Sequence, residues 1–261
     1  MRRPQISPSS TNPKVTEMGD YVFRVCFVDP FQGTVMAKFA AKTLKAKKVA
    51  VLTDVDAPYS VGLGTFFKER FVADGGTVVA EQKFTKDDKD FKAQLTAIKS
   101  QAPDAIFVPA YYGQVTLIVM QARELGITVP LFGGDGWEAP ELLQGPGAAA
   151  ALEGCYFSTH FSPDQDSPRA KEFVKAYEAK FGAKPDAMAA LGYDSALLLS
   201  DAIKRAGSAE PEKLRPVLAA TKDFDGVTGK MTLNDRRNAE KSAVIIGIKG
   251  GKFVYTETVN P

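Results

Sequence analysis

Two neighbouring stretches carry side chains that could hold a small molecule. PDAIFVPAYY (103–112) runs through an apolar segment, Ala105 to Val108, and delivers Tyr111 and Tyr112 to a turn. PLFGGDGW (130–137) delivers Asp135, set among Gly133, Gly134 and Gly136, with Trp137 directly behind it. Glycine-flanked backbone can approach a ligand closely, and a phenol presents both an aromatic face and a polar tip. In an open parallel sheet, ligands sit outside the carboxyl ends of the strands. Two successive strand ends bearing aromatics and an acid therefore predict a small-molecule site. Asp135 equally suits a turn that caps the helix after it, and Tyr112 and Trp137 equally suit packing.

Side chains for catalysis are sparser. The sole histidine, His160, lies in STHFSPD, with Ser158 and Ser162 beside it, but no G-x-S-x-G elbow is present. His160 is expected at the surface or at a hinge. There is no P-loop, no G-x-G-x-x-G after a first strand and no H-E-x-x-H. Asp87, Asp88 and Asp90 read as the solvated start of a helix. Cys26 and Cys155 each sit in an apolar run without a metal-ligand neighbour, so they read as buried free thiols. The chain is expected to bind rather than catalyse, with no metal and no cofactor.

The elements that position these residues alternate. Residues 4–16 (PQISPSSTNPKVT), with three prolines and a polar cluster, predict a loop. YVFRVCFV (21–28) reads as a strand, 32–46 as an amphipathic helix and 47–54 as a buried strand. The loop DAPYSVG leads to a helix over 63–73, capped by Gly75-Gly76. A strand over 77–84, a helix from Asp87 to Lys99 and the Ala105–Val108 strand follow. Strand–helix alternation of this length means βαβ units and a parallel sheet covered by helices on both faces. After Trp137 come a small-residue linker, a strand over 155–161 and helices over 167–181, 186–206 and 210–220. The tail from Gly226 alternates as strands, turning at Asn234-Asp235 and at Gly250-Gly251.

Bulk properties fit this picture. The 261 residues are 44% hydrophobic and 25% charged, ordinary for a globular protein with ample core. Net charge is +2 with the signs interspersed, and no basic face with interleaved aromatics points to nucleic acid. No apolar run approaches the roughly 20 residues of a membrane helix. The start, MRRPQISPSS, has no apolar stretch behind its basic residues and is not an export signal as written.

The ordered series ISPSST, YVFRV with a following QG, KKVAVLTD, PDAIFVPAYY, QARELGI, GGDGW, ALGYD, AIKRAGS and TKDFDGVTGKMTLN resembles the leucine/isoleucine/valine-binding proteins. These are type I periplasmic solute-binding components of branched-chain amino-acid ABC importers. The resemblance covers essentially the whole chain. It implies an α/β fold of two parallel-sheet lobes joined by crossing hinge strands, with the first lobe incomplete, because the family carries an export signal and further chain ahead of the ISPSST loop. Residues 1–29 and 159–238 would be the remnant of lobe one, its helices exposing apolar faces. Residues 30–158 and 239–261 would form lobe two. The resemblance also implies a periplasmic or other extracytoplasmic location, a membrane permease as partner, a monomer if complete, and binding of a branched-chain or related amino acid by hinge closure. Two further readings share the fold: a truncated, weakly binding fragment, and a ligand-sensing domain.

The resemblance assigns roles residue by residue. Ser9, Ser10 and Thr11 fall where the family binds the ligand carboxylate with backbone N–H groups and a hydroxyl. Asp135 falls on the family's ammonium-binding acid, often Glu there. Tyr59 and Tyr111 match its lobe-two tyrosines, and Tyr193 matches an aromatic lining the pocket. Trp137 and Tyr112 are included as neighbours.

Overall fold

A computed structural model describes residues 3–261; Met1 and Arg2, which open the expected remnant of lobe one, lie outside the described residues. In chain order, β1 (Gln5–Ser7), α1 (Lys14–Glu17) and β2 (Val22–Arg24) come first. There follow α2 (Asp29–Lys42), β3 (Lys48–Asp54), α3 (Pro58–Ala73), β4 (Thr77–Phe84), α4 (Lys92–Ser100), β5 (Ala105–Phe107), α5 (Tyr112–Glu124) and β6 (Leu131–Gly133). A single-turn 3₁₀ helix, Asp135–Trp137, and a second, Pro140–Leu143, lead to α6 (Ala148–Ala151) and β7 (Tyr156–Thr159). The chain ends with α7 (Pro168–Phe181), α8 (Ala187–Ala206), α9 (Pro211–Ala219), β8 (Phe224–Gly226), β9 (Gly229–Leu233), β10 (Ala239–Glu240), β11 (Ala243–Lys249) and β12 (Lys252–Val259).

Contacts divide the chain into two compact units. The first takes the chain up to Val28, His160–Val244 and Thr258–Pro261; the second takes Asp29–Thr159 and Ile245–Glu257. The chain re-enters the second unit at Ile245, six residues after the expected Ala239, because β10 pairs antiparallel with β9 in the first unit, Ala239 opposite Leu233, and residues 258–261 fall in the first unit rather than the second.

The second unit is built on a sheet of order β12-β11-β7-β6-β5-β3-β4. β4, β3, β5, β6 and β7 pair parallel to one another. Its core is aromatic: Phe67 of α3 stacks on Phe107 of β5 at 4.0 Å between centroids, and Phe132 of β6 meets Phe67 edge-on. Such pairs contribute roughly 0.5–1.5 kcal/mol beyond their buried area. The parallel order brings the carboxyl ends of β3, β5, β6 and β7 to one edge.

The first unit pairs β1 with β2 in parallel, Ile6 opposite Phe23, and holds an antiparallel sheet β10-β9-β8. Phe23, Val25, Leu191, Leu198, Leu214, Leu218 and Met231 form its main core. Its helices have the ends their sequences call for: Ser167 and Asp186 accept from Ala170 N and Ala189 N, and Gly182 and Gly207 take left-handed φ of 72° and 60°. Met188, Tyr193 and Leu199 of α8 are exposed.

Four expectations change. Residues 4–16 are not all loop: Pro4 and Pro8 bracket β1 rather than interrupt it, leaving Gln5 N free to donate to Tyr21 O. α3 begins at Pro58, not Leu63, since proline is suited to the first helical position; Tyr59 is thus helical. α4 begins at Lys92, because Asp88 accepts from Thr85 N and Asp90 from Lys92 N, spending the acids on the preceding turn. The small-residue linker contains the short helix α6. Among the described residues, no helix is long and apolar enough to cross a membrane.

Candidate functional site

At the carboxyl edge of the second unit's sheet, four elements converge on one carboxylate. β6 ends at Gly133 and the chain turns through Gly134 into the 3₁₀ turn that starts with Asp135. The first turn of α3 supplies Tyr59, whose hydroxyl donates to Asp135 Oδ1 at 2.9 Å. α2 supplies Gln32, whose Nε2 donates to the same oxygen at 2.9 Å. Gln32 Nε2 also donates to Ser158 Oγ of β7 at 3.0 Å. The N–H of Gly136 donates to Tyr59 Oη at 3.1 Å, closing the ring of contacts.

The glycines are required by closeness. A Cβ on Gly134 would stand 2.5 Å from Tyr59 Oη and 2.7 Å from Leu63 Cδ2. A Cβ on Gly136 would stand 2.9 Å from Ala110 O. The Asp135 turn can therefore seat against α3 only with glycine on either side.

Tyr111 precedes α5, and its ring stacks on Tyr59 at 5.1 Å. Tyr59 and Asp135 are nearly buried, 8% and 7% exposed, whereas Tyr111 is 48% exposed. Burial, then the Asp135 charge, hold the Tyr59 phenol well above its ordinary value, so it stays a donor. Burial also raises Tyr111, followed by the charges of Asp135, Asp29 and Asp54. The field at this edge is anionic, and it sets a nearly buried carboxylate beside an exposed aromatic face, the partners a cation prefers. Tyr112, on the first turn of α5, is exposed.

Trp137 packs, the alternative that its sequence position left open. Its side chain is fully buried beneath Gly133, and its indole N–H donates to Val108 O at 2.9 Å. It offers no surface to a ligand and instead fixes the Asp135 turn to the end of β5.

The other expected residues lie in the first unit. After β1, Ser9 is half-buried, Ser10 exposed and Thr11 buried. Ser10 N–H donates to Ser7 Oγ at 3.2 Å. The turn is wrapped around Arg24, whose guanidinium donates to Ser10 O at 2.5 Å, Asn12 O at 2.9 Å and Pro13 O at 3.3 Å. Tyr193 of α8 is 46% exposed and packs against Phe173 at 4.9 Å. Next to it, buried Asp194 accepts from Val227 N, Thr228 N and Thr228 Oγ1, and Lys241 Nζ donates to that hydroxyl.

His160 is buried, not at the surface, with its ring stacked on Phe27 at 3.7 Å. Ser158 Oγ is occupied by Gln32, and Ser162 Oγ accepts from Asp164 N. Cys26 and Cys155 are buried thiols, neither of them in a disulfide. Sequence reasoning missed Gln32, Arg24 and Lys241 and weighed Ser158 only as a neighbour of His160; of the three missed, only Arg24, a cation inside the apolar run YVFRVCFV, left a local trace.

The family profile described as periplasmic binding protein matches residues 1–252. The chain belongs to that family. Its members are solute-binding proteins rather than enzymes. Among solved structures, the leucine-binding protein LivK of Thermotoga maritima is 44% identical with a TM-score of 0.93, over 99% of this chain and 73% of its own. The branched-chain amino-acid substrate-binding protein LivJ of Streptococcus pneumoniae, solved with isoleucine, is 39% identical with a TM-score of 0.90, over 99% and 73%. The Leu/Ile/Val-binding protein BraC3 of Rhizobium johnstonii is 32% identical over 97% of this chain and 68% of its own length. The chain spans 61–68% of the first curated relatives. The α/β fold is thus that of the type I periplasmic binding proteins.

Proposed function

We propose that this chain acts outside the cytoplasmic membrane as the solute-binding component of an ABC importer, taking a branched-chain or related amino acid and delivering it to a membrane permease. The observation that carries the reading is Asp135, buried, held through one oxygen by Tyr59 and flanked by the open face of Tyr111. An α-ammonium group satisfies both: the carboxylate gives a charge-assisted hydrogen bond of roughly 1.5–3 kcal/mol, and the ring a cation–π contribution of roughly 0.5–2 kcal/mol. Ser9, Ser10 and Thr11 are the proposed donors to the ligand carboxylate, with Ser10 contributing its exposed hydroxyl because its N–H already serves Ser7. Tyr193 is proposed as an apolar wall.

Calorimetry with leucine, isoleucine and 4-methylpentanoate tests the reading. Leucine and isoleucine should bind, the des-amino acid should bind at least about tenfold more weakly, and Asp135→Ala should abolish leucine binding with the melting curve retained. Equal affinity of Asp135→Ala and the unsubstituted chain for leucine removes Asp135 from the site.

A further inference from the structure

Gln32 is an anomaly among the buried residues. Its side chain is wholly inaccessible, yet its Oε1 has no hydrogen-bond partner among the described residues. A buried acceptor left unsatisfied costs about 1–3 kcal/mol, a cost that methionine or leucine at this position would not incur. The amide cannot turn over to relieve it. Exchanging its two ends would set an amide oxygen against Asp135 Oδ1, acceptor against carboxylate, and would lose the contact that Nε2 makes there at 2.9 Å, whereas the Ser158 hydroxyl at 3.0 Å can pair with either end. The orientation is therefore fixed by its donor end.

What that donor end does is specific. It reaches one oxygen of one carboxylate, the same Oδ1 that Tyr59 engages, from the opposite element: Gln32 from α2, Tyr59 from α3. Two donors on one oxygen determine the rotation of the carboxylate about its own axis. Ser158 Oγ, taking the other contact of Nε2, holds the amide plane in turn. Rotamer-locking support of this kind separates a carboxylate that is merely present from one held to the few tenths of an ångström that recognition needs.

We propose that Gln32 is a positioning residue for the ligand's ammonium group, acting through Asp135 and locked by Ser158. The inference rests on the reading of Asp135 as the ammonium partner. Gln32 itself touches no ligand. It preorganises the carboxylate, so its removal should lower affinity only while Asp135 is there to be positioned.

A double-mutant cycle in leucine affinity separates this from a purely structural role. The purified 261-residue chain and its Gln32→Met, Asp135→Asn and doubly substituted forms are titrated with leucine by calorimetry, with melting curves beside them. Gln32→Met should bind leucine about tenfold more weakly and Asp135→Asn about a hundredfold more weakly. The double variant should stay within about threefold of Asp135→Asn alone. If Asp135→Asn weakens binding but Gln32→Met does not, or if the two losses multiply, the positioning role is overturned and the reading of Asp135 stands. If Asp135→Asn binds like the unsubstituted chain, or that chain takes no leucine, both fall. Gln32→Leu is read on the same cycle should Gln32→Met not fold, and failure of both to fold overturns positioning in favour of structure.

Discussion

The Tyr59 hydroxyl, from the first turn of a helix, donates at 2.9 Å to a carboxylate 76 residues further along the chain, that of Asp135. Both partners are nearly buried, and the hydroxyl in turn accepts from Gly136 N. One phenol therefore holds the acid and the backbone of its own turn together.

Tyr59→Phe removes that hydroxyl while keeping the ring and its stack on Tyr111. Asp135 loses a charge-assisted donor and Gly136 N loses its acceptor inside a closely packed site. Loss of hydrogen bonds to charged groups amounts to roughly 1.5–3 kcal/mol, and each 1.4 kcal/mol is about tenfold in affinity. Leucine affinity measured by calorimetry should fall about tenfold or more, and stability by denaturant titration about 1–3 kcal/mol. A variant that binds leucine as tightly as the unsubstituted chain shows that the phenol serves packing alone.

The alternating array from α2 to β6 was legible because its central strands β3, β5 and β6 are short apolar runs and helical-length segments separate them, so period and length agree. The helix ends at Ser167, Asp186, Gly182 and Gly207 were legible because the caps are single residues with one physical job. Tyr111 and Asp135 could be singled out because strand ends seldom carry such side chains. Gln32 and Ser158 could not be tied to that acid. Their partners lie 103 and 126 residues away, and nothing in QG or FST distinguishes them from neighbours that only pack. Trp137 could be read as a site neighbour or as packing for the same reason: next to an acid in sequence, it turns under Gly133 into the core. β1 was hidden because prolines beside a strand look the same in sequence as prolines within one.

Lys241 gives the first unit a dependence on alkaline pH. It is buried, and desolvation lowers its pKa to about 8, against the opposing pull of the Asp194 charge and then that of Cys26. In the unfolded chain an ordinary lysine titrates near 10.4. Between those values the unfolded chain binds more protons than the folded one, so stability from this group rises with pH across the window. Below about pH 8 both states are charged and the burial penalty is constant; above the unfolded value it is gone. A shift of this size corresponds to something on the order of 3 kcal/mol. Lys241→Met keeps the bulk of the side chain and removes the proton. Denaturant titrations from pH 7 to 10 should show the unsubstituted chain gaining stability relative to Lys241→Met as pH rises. Parallel curves for the two would mean that the lysine leaves its buried place without cost.

Arg24 is the other cation closed inside the first unit, and its fork carries the Ser9–Thr11 turn. One guanidinium meets three carbonyls, those of Ser10, Asn12 and Pro13, across two of its nitrogens. A lysine ammonium is a point charge on a flexible stem and cannot span that fan of acceptors. Arg24→Lys leaves the charge buried and strands at least one carbonyl, a loss of roughly 2–4 kcal/mol when each unsatisfied group costs about 1–3 kcal/mol. Because the turn follows β1 directly, the disturbance should reach the parallel β1–β2 pair as well. Amide hydrogen exchange should then show faster exchange in Arg24→Lys at Gln5 and Val25, whose N–H groups bond to Tyr21 O and Ser7 O. The α2–β6 array of the second unit should exchange as before. Protection at Gln5 and Val25 that survives the substitution would show that the strand pair stands without its arginine.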